Sequence, residues 1–264
     1  MAAKSETYPI DTGTAEVHHE PDGSMVLLVN GVPSSHIVPG EPERLDFEYM
    51  RWIADFLDSL QLGDIPRWPK PRLTHLGGAA CSLPRYFAAA WPGSRNTVVE
   101  IDSRLAELAR ELFDVPRSPA VKIRVGDARE VTDSFKPATR DVMIRDVFAQ
   151  ALTPRELTTV EFYQQVRTCL SENGVYVANC GSHADLKEAK EELAGMCEVF
   201  LHVAAIADPP MLKGRRYGNV VLIAANTPLA ASPQLTRNLL KGAVPAHFKG
   251  EKWARSLATT PRHD

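Results

Sequence analysis

Residues 73–82, LTHLGGAACS, join a short apolar run to a turn of small residues, and they begin the region that decides the fold. Further apolar runs follow at intervals long enough to hold a helix: Thr97–Ile101, Val121–Val125, Asp141–Ile144 and Val175–Cys180. Strands that alternate with crossover-length segments are typical of a parallel sheet covered on both faces. We therefore predict an α/β domain.

Two of the intervening segments carry helix signals. Arg104 to Phe113 is the first, and in the second, residues 153–156 (TPRE) supply an N-cap, a first-turn proline and a capping-box acid. These residues predict a helix that begins at Thr153. The last apolar runs, Glu198–Ile206 and Asn219–Ala225, are joined without a helix-length apolar pattern, so we expect an antiparallel hairpin to close the sheet.

The first forty residues have the pattern of β-hairpins. Residues 21–23 (PDG) and 30–31 (NG) separate β-favouring runs, and such dipeptides favour tight hairpin turns. An apolar stripe at helical spacing follows: Phe47, Met50, Ile53, Leu57 and Leu60. We predict a small N-terminal β domain with a linking helix in residues 1–65, an α/β domain in residues 66–226 and a C-terminal tail in residues 227–264.

Composition limits the possible functions. The chain of 264 residues has a net charge of −3, so no global basic field attracts nucleic acid or an anionic membrane. We find neither a membrane-spanning run nor the apolar core of a signal peptide, and we predict a soluble, cytoplasmic protein. The four cysteines and eight histidines show no metal-ligand spacing, so we expect no metal.

Charge differs between the two ends of the chain. Residues 1–72 contain 6 basic and 12 acidic residues, whereas residues 226–264 contain 6 and 2. The two ends could attract one another or a neighbouring subunit, or each could be a solvated surface.

Acidic residues follow three of the predicted parallel strands. Glu100, Asp127 and Asp146 would lie at one edge of the sheet, where open α/β sheets bind ligands. A carboxylate there can accept hydrogen bonds from ribose hydroxyls or from an adenine amino group. The alternatives are helix capping, which we assign to Asp102, and a plain turn around Asp127. The turn at Gly77 and Gly78 would allow close approach of a ligand or only tight packing of the backbone.

These motifs together resemble those of the polyamine aminopropyltransferases, the spermidine synthase family. The matching residues are VVEID (98–102), VGDAR (125–129) and DVMIRD (141–146), with LLVNGV (27–32) and LDFEYM (45–50) upstream. The resemblance covers about residues 15–225. It implies a Rossmann-like S-adenosylmethionine-dependent transferase fold, in which a parallel sheet ends in an antiparallel hairpin and follows a small N-terminal β domain.

The resemblance also implies roles for particular residues. Asp146 would be the catalytic carboxylate that takes a proton from the amine, and Tyr49 and Tyr217 would line the amine site. The S-adenosyl ligand would be bound by Gly77, Gly78, Glu100, Asp127 and Ala128. The co-substrate would be decarboxylated S-adenosylmethionine or S-adenosylmethionine, the partner a small-molecule amine, and the assembly a homodimer.

The chain departs from the family pattern at four positions. Ala79 and Ala149 replace acids, Ser34 replaces a glutamine and Arg51 replaces a glutamate. A diamine is a dication, and burying it needs matched carboxylates. We therefore expect aminopropyl transfer to an altered acceptor. The alternatives are a methyltransferase that uses S-adenosylmethionine and a catalytically silent nucleoside-binding homologue.

Overall fold

The computed structural model describes residues 4–62, 66–149 and 152–264. Its first part is a four-stranded antiparallel sheet in the order β1-β2-β3-β4. The strands are β1 (Lys4–Ile10), β2 (Gly13–His19), β3 (Met25–Val29) and β4 (Val32–Ile37). The predicted hairpins are confirmed, and β1 is a strand that the sequence analysis missed.

The turn between β3 and β4 shows why the NG signal works. Asn30 has φ +51° and Gly31 has φ +78°, so both central residues have the positive φ that a type I′ turn requires. In the preceding turn, Asp22 accepts a hydrogen bond from the backbone N–H of Ser24 at 3.0 Å. Local turn chemistry therefore sets the register of this sheet.

An amphipathic helix leads from the small sheet to the large one. Helix α1 (Glu48–Gln61) buries Met50, Ile53 and Leu57 of the predicted stripe, together with Trp52, Ala54 and Phe56. These side chains pack on one face of the large sheet together with Val142 and Val175. The other face is covered by Phe162, Tyr163, Leu193 and Met196.

The large sheet has eight strands in the order β12-β10-β11-β9-β8-β5-β6-β7. In chain order the elements are β5 (Arg72–Leu76), α2 (Ser82–Ala90), β6 (Arg95–Glu100), α3 (Ser103–Leu112), β7 (Val121–Val125), α4 (Ala128–Asp133), β8 (Arg140–Arg145), α5 (Val160–Cys169), β9 (Leu170–Ser182), α6 (Lys187–Val199), β10 (His202–Ala207), α7 (Pro209–Leu212), β11 (Gly218–Ala225), α8 (Pro233–Lys241), β12 (His247–Lys249) and α9 (Glu251–Leu257).

The pairing confirms the predicted fold class. Strands β5 to β9 pair in parallel. Strands β10 and β11 form the expected antiparallel pair, and β11 joins them to β9. Strand β12 pairs with β10, so residues of the predicted C-terminal tail extend the same sheet. The N-terminal sheet packs against α3 through Ala15, Val17, Leu27, Leu105 and Leu108.

Two predicted boundaries are wrong. A 3₁₀ turn, Arg155–Leu157, lies where the helix is predicted to begin, and α5 starts only at Val160. The cap is Thr159, whose hydroxyl accepts from the backbone N–H of Phe162, because the buried apolar stripe begins there and not at Thr153. The run Glu198–Ile206 is a strand only from His202, since α6 continues to Val199.

Candidate active site

Four strand ends meet at one edge of the large sheet. Strands β8, β5, β6 and β7 are parallel neighbours in that order, so their carboxyl ends lie side by side. The chain adds β6 and β7 on one side of β5 and then places β8 on the other side, and such a switch in strand order is where open α/β sheets bind ligands. The fold therefore brings together the predicted residues Gly77, Gly78, Glu100, Asp127 and Asp146.

The turn after β5 lies in tight contact with its neighbours. Gly77 has φ +90°, and a Cβ atom on it would lie 2.2 Å from the carbonyl oxygen of Asp146. A Cβ atom on Gly78 would lie 2.8 Å from Val98 Cγ1 and 3.2 Å from Glu100 Oε2. Close packing therefore requires glycine at both positions, and ligand contact at this turn stays a prediction.

Glu100 is a buried carboxylate at the end of β6 whose hydrogen-bond donors are backbone groups. Its Oε2 accepts from the N–H groups of Gly78 at 3.0 Å and Ala79 at 3.1 Å, and its Oε1 accepts from the N–H of Asp102 at 3.1 Å. Burial raises the pKa of Glu100, and these hydrogen bonds oppose the rise. A carboxylate oxygen can accept more than one hydrogen bond, so Oε1 keeps capacity for a ribose hydroxyl.

Asp102 is the helix cap that the sequence predicts. Its Oδ1 accepts from the N–H of Leu105 at 2.8 Å, at the start of α3. Its Oδ2 accepts from the N–H and the hydroxyl of Thr12 at 2.7 and 2.8 Å. Asp102 thus joins the N-terminal sheet to α3.

Asp127 begins a structured turn after β7. Its Oδ1 accepts from the N–H groups of Arg129 at 2.8 Å and Glu130 at 3.0 Å, so it caps α4. Within the described residues, its Oδ2 has no hydrogen-bond partner. Ala128, the next residue, is buried. One oxygen of Asp127 is therefore available to a donor such as an adenine amino group.

Exposed apolar side chains lie at the same strand ends. Ile101 after β6 is 60% exposed, Val125 at the end of β7 is 51% exposed, and Phe148 after β8 is 38% exposed. A ligand that covers large apolar side chains removes them from water, and this lowers the free energy of the complex. Their position beside polar groups is typical of a site for a flat, mostly apolar ring system.

Asp146 is held by side chains from two other elements. Its Oδ2 accepts from the hydroxyl of Tyr49 on α1 at 2.9 Å, and its Oδ1 accepts from the amide nitrogen of Asn179 on β9 at 2.9 Å. Burial raises the pKa of Asp146, although these hydrogen bonds and the charge of Arg145 oppose the rise. The backbone N–H of Asp146 donates to the carbonyl of Leu76 at 2.8 Å.

Tyr49 acts as a hydrogen-bond donor at this site. Burial and the charge of Asp146 raise the pKa of Tyr49 well above its ordinary value. The phenol is therefore protonated at neutral pH. The resemblance placed Tyr49 in the amine site, and the structure places it in contact with Asp146, the predicted catalytic carboxylate.

The sequence analysis missed Asn179, which is buried. Its amide nitrogen donates to Asp146, and its Oδ1 is a buried acceptor that has no partner within the described part of the chain. An unpartnered buried acceptor is costly unless a ligand or water donates to it. The sequence feature that could have identified Asn179 as a site residue is its position near the end of β9, the strand beside β8.

Tyr217 lies farther along the same edge. It is 48% exposed and immediately precedes β11, and its ring centroid is 5.3 Å from that of His183, which follows β9. The register pairs Gly218 with Ser182, which explains why these rings meet. A role for Tyr217 in amine binding stays a prediction.

The substituted positions have local roles. Ala79 adopts φ +43° and donates its N–H to Glu100. Arg51 donates to the carbonyls of Leu45 and Asp46 at 3.0 and 2.6 Å, so its guanidinium holds the loop before α1. Ala149 makes an antiparallel bridge with Leu152.

Neither a metal centre nor a membrane-spanning helix is found among the described residues. Among residues 4–62, 66–149 and 152–264, no group of three or more His, Cys, Asp or Glu side chains is placed to hold a metal ion. The helices formed by these residues are all too short or too polar to cross a membrane.

Solved structures with the same architecture include a close relative. The probable spermidine synthase from Corynebacterium glutamicum is 53% identical to this chain. The match covers 98% of this chain and 96% of that protein's chain, and the two structures superpose with a TM-score of 0.93. Human methyltransferase-like protein 13 in complex with SAH is 25% identical over 73% of this chain and 89% of its own, with a TM-score of 0.56.

Sequence comparisons indicate the same family. A polyamine aminopropyltransferase from Vibrio vulnificus is 30% identical over 149 residues, which are 55% of this chain and 47% of that protein. This chain thus spans about half to two thirds of the length of the curated relatives it matches first. The model of the spermine/spermidine synthase domain matches residues 17–222. The chain therefore belongs to the spermine/spermidine synthase family.

Proposed function

We propose that this protein transfers the aminopropyl group of decarboxylated S-adenosylmethionine to an amine, with an acceptor site that differs from the diamine site of the family. The observation that carries the proposal is Asp146, a partly buried carboxylate held by Tyr49 and Asn179. It follows β8, and β5 separates β8 from the strand that carries Glu100. A candidate proton acceptor thus lies beside a candidate nucleoside site.

The nucleoside part of the ligand is proposed to bind across β5, β6 and β7. Glu100 would accept hydrogen bonds from the ribose hydroxyls, and Asp127 would accept from the adenine amino group beside the backbone of Ala128. The exposed side chains of Ile101 and Val125 support an apolar slot for the base. The turn at Gly77 and Gly78 would face the ribose and the sulfonium.

Asp146 is proposed to orient the amine and take its proton. An alkylamine has a pKa of about 10.4, so it arrives as an ammonium ion and must lose a proton before it attacks. Asp146 accepts that proton, and the buried Oδ1 of Asn179 accepts a second N–H. The new C–N bond forms as the C–S bond breaks, and a neutral thioether leaves. Alignment of the reacting atoms supplies much of the acceleration.

The substrate class follows from the acids that are replaced. Ala149 gives no charge to balance a second ammonium group of the acceptor, Ala79 gives none on the donor side, and a buried dication needs matched carboxylates. An acceptor with one amino group beside Asp146 suits this arrangement better than a diamine.

Methyl transfer from intact S-adenosylmethionine is the second candidate. Two observations favour it: Ala79 places no acid where the donor's carboxylate would lie, and a methyltransferase shares the fold. The N-terminal sheet disfavours it, because simple methyltransferases lack that domain. The third candidate is a silent homologue that binds the nucleoside and transfers nothing.

One experiment separates these candidates. The protein is incubated with S-adenosylmethionine or its decarboxylated form and a panel of mono- and diamines, and products are identified by mass spectrometry. Aminopropylated monoamines would support the proposal. Methylated amines would support the second candidate, and the absence of both products would support the third. The Asp146→Asn variant controls for uncatalysed transfer.

A further inference from the structure

A buried ion pair lies on the opposite face of β8 from the Asp146 side chain. Arg145 and Glu192 of α6 are 0% and 1% exposed and form two contacts, at 2.7 and 3.1 Å. The hydroxyl of Tyr163 donates to Glu192 at 2.9 Å, and Arg145 also donates to the carbonyl of Leu157 at 3.0 Å.

The same guanidinium reaches the residue that holds Asp146. Arg145 donates to the backbone carbonyl of Asn179 at 3.0 Å, and the side chain of Asn179 donates to Asp146 at 2.9 Å. Arg145 ends β8 and contacts Glu192 of α6 on one face of the sheet, whereas Asp146, the next residue, contacts Tyr49 of α1 on the other face. Asn179 is thus fixed from one face of the sheet and fixes the carboxylate on the other.

A structural role alone accounts poorly for this pair. The neighbouring side chains on that face are mostly apolar or aromatic, namely Met143, Tyr176 and Ala178. Removing two charges from water costs several kcal/mol per ion, and apolar residues of similar volume often give equal or greater stability. The ion pair holds the backbone of Asn179 through a hydrogen bond from Arg145, and apolar side chains could not make this contact.

We infer that the Arg145–Glu192 pair is a positioning device for the Asp146 carboxylate. It locks the backbone of Asn179, so that the amide of Asn179 meets Asp146 in one geometry, and it places a fixed positive charge beside the ionised carboxylate. The charged and titratable groups that act on Asp146 within the described residues are Arg145 from β8 and Tyr49 from α1. The inference rests on the proposed role of Asp146 as proton acceptor.

The test replaces the pair by apolar residues and follows the Asp146 carboxyl group directly. Arg145→Met, Glu192→Met and Tyr163→Phe are combined, because removing one partner alone would leave a buried charge. The side-chain carboxyl carbons of aspartate are labelled with ¹³C, and the Asp146 signal is identified by its loss in Asp146→Asn. We expect the midpoint of its titration to rise by about half a pH unit or more.

A second variant separates the effect of the position of Arg145 from the effect of its charge. It also provides the test if the triple variant fails to fold. Arg145→Lys keeps the charge but loses the planar fork that reaches both Glu192 and Asn179. A positioning role predicts that the midpoint rises here too. If the midpoint stays at its original value in Arg145→Lys, or in a folded triple variant, the inference is overturned.

The control removes a different ion pair, which joins Arg72 of β5 to Asp141 of β8. Arg72 contacts Asp141 at 2.8 Å at the opposite end of β8. Arg72→Met combined with Asp141→Asn should leave the Asp146 titration unchanged. A shift as large as that of the triple variant would show that general loosening of β8 is the cause and would overturn the inference.

Turnover distinguishes this inference from the proposed function. If amine transfer is found, the triple variant should lose at least about tenfold in kcat with little change in KM, because the substrates do not touch the pair. If the unmodified protein forms no product, the proposed function fails. The titration still decides whether Arg145 positions Asp146.

Discussion

Glu100 and Asp146 are two carboxylates with different kinds of hydrogen-bond donors. The donors to Glu100 are backbone N–H groups, which are fixed by the fold. Those to Asp146 are side chains of Tyr49 and Asn179, and the hydroxyl of Tyr49 can rotate as a proton moves. The first arrangement suits a rigid ligand contact, and the second suits proton transfer.

Replacing Glu100 by alanine should weaken the binding of an adenosyl thioether such as methylthioadenosine. The loss should be about 1.5–3 kcal/mol, the usual range for a charged hydrogen bond, and calorimetry measures it. Glu130→Ala, on the exposed side of α4, is the control and should bind normally. Unchanged affinity in Glu100→Ala would remove this residue from the ribose site.

Asp146→Asn should abolish most of the turnover and leave the protein folded. Asparagine keeps the shape but cannot accept the amine proton, and loss of a general base costs about 10²–10⁴-fold in rate. Because burial raises the pKa of Asp146, activity should fall on the acid side at a higher pH than for an ordinary aspartate. Turnover, its pH profile and the melting temperature are measured together. A fully active variant would exclude Asp146 from the mechanism.

Among the strands and helices, features set by neighbouring residues could be predicted from the sequence, whereas long-range contacts could not. The Asn30-Gly31 turn and the alternation of strands with crossovers can be read from neighbouring residues, and the structure confirms both. The contacts Asp146–Asn179 and Arg145–Glu192 join residues 33 and 47 positions apart. Nothing local identifies such partners, because the register of β8 on β9 and the packing of α6 decide them.

Strand β5 carries a buried histidine that should make stability depend on pH. Burial lowers the pKa of His75 from 6.5 to about 4, although its Nε2 contacts Asn96 Oδ1 at 3.0 Å. The unfolded chain therefore binds a proton that the folded chain excludes between about pH 6.5 and 4. Stability is complete above this range and falls with decreasing pH, by about 3 kcal/mol in total from this group.

Urea unfolding of the wild type and His75→Gln between pH 5 and 8 measures this effect. The free energy of unfolding should fall less steeply towards acid in the variant. His263→Gln is the control, since Glu161 raises the pKa of exposed His263 and its removal should act in the opposite direction. Equal slopes in wild type and His75→Gln would contradict the assignment.

The two ends of the chain, which differ in charge, form no ion pair with each other among the described residues. In the described ranges, no salt bridge joins residues 226–264 to residues 4–62 or 66–72. Instead, residues 262–264 lie along the start of α5. The carbonyl of Arg262 accepts from Val160 N–H at 2.9 Å, and Asp264 contacts Arg129 at 2.8 Å and Thr159 at 2.7 Å.

This terminal contact should stabilise residues 155–161 without controlling the global fold. Arg262→Ala combined with Asp264→Ala removes the contacts to Glu191 and Arg129, which are partly exposed, so each should contribute about 1 kcal/mol or less. We expect faster amide hydrogen exchange at Val160 and its neighbours and unchanged exchange in buried β9. Hydrogen-exchange mass spectrometry resolves the two segments.

The pH dependence of that contact gives an independent check. Arg129 lowers the pKa of Asp264 to about 2, from an ordinary value of 3.8. The contact should therefore contribute fully above pH 3.8 and disappear only as the pH falls through 2, so protection of Val160 should be the same at pH 5 and 7. Arg255→Ala, which removes an ion pair within α9, is the matched control and should leave residues 155–161 protected. If exchange at Val160 in the double variant equals that of the wild type, the terminal residues do not hold this segment, and the α4–α5 packing alone must account for its order.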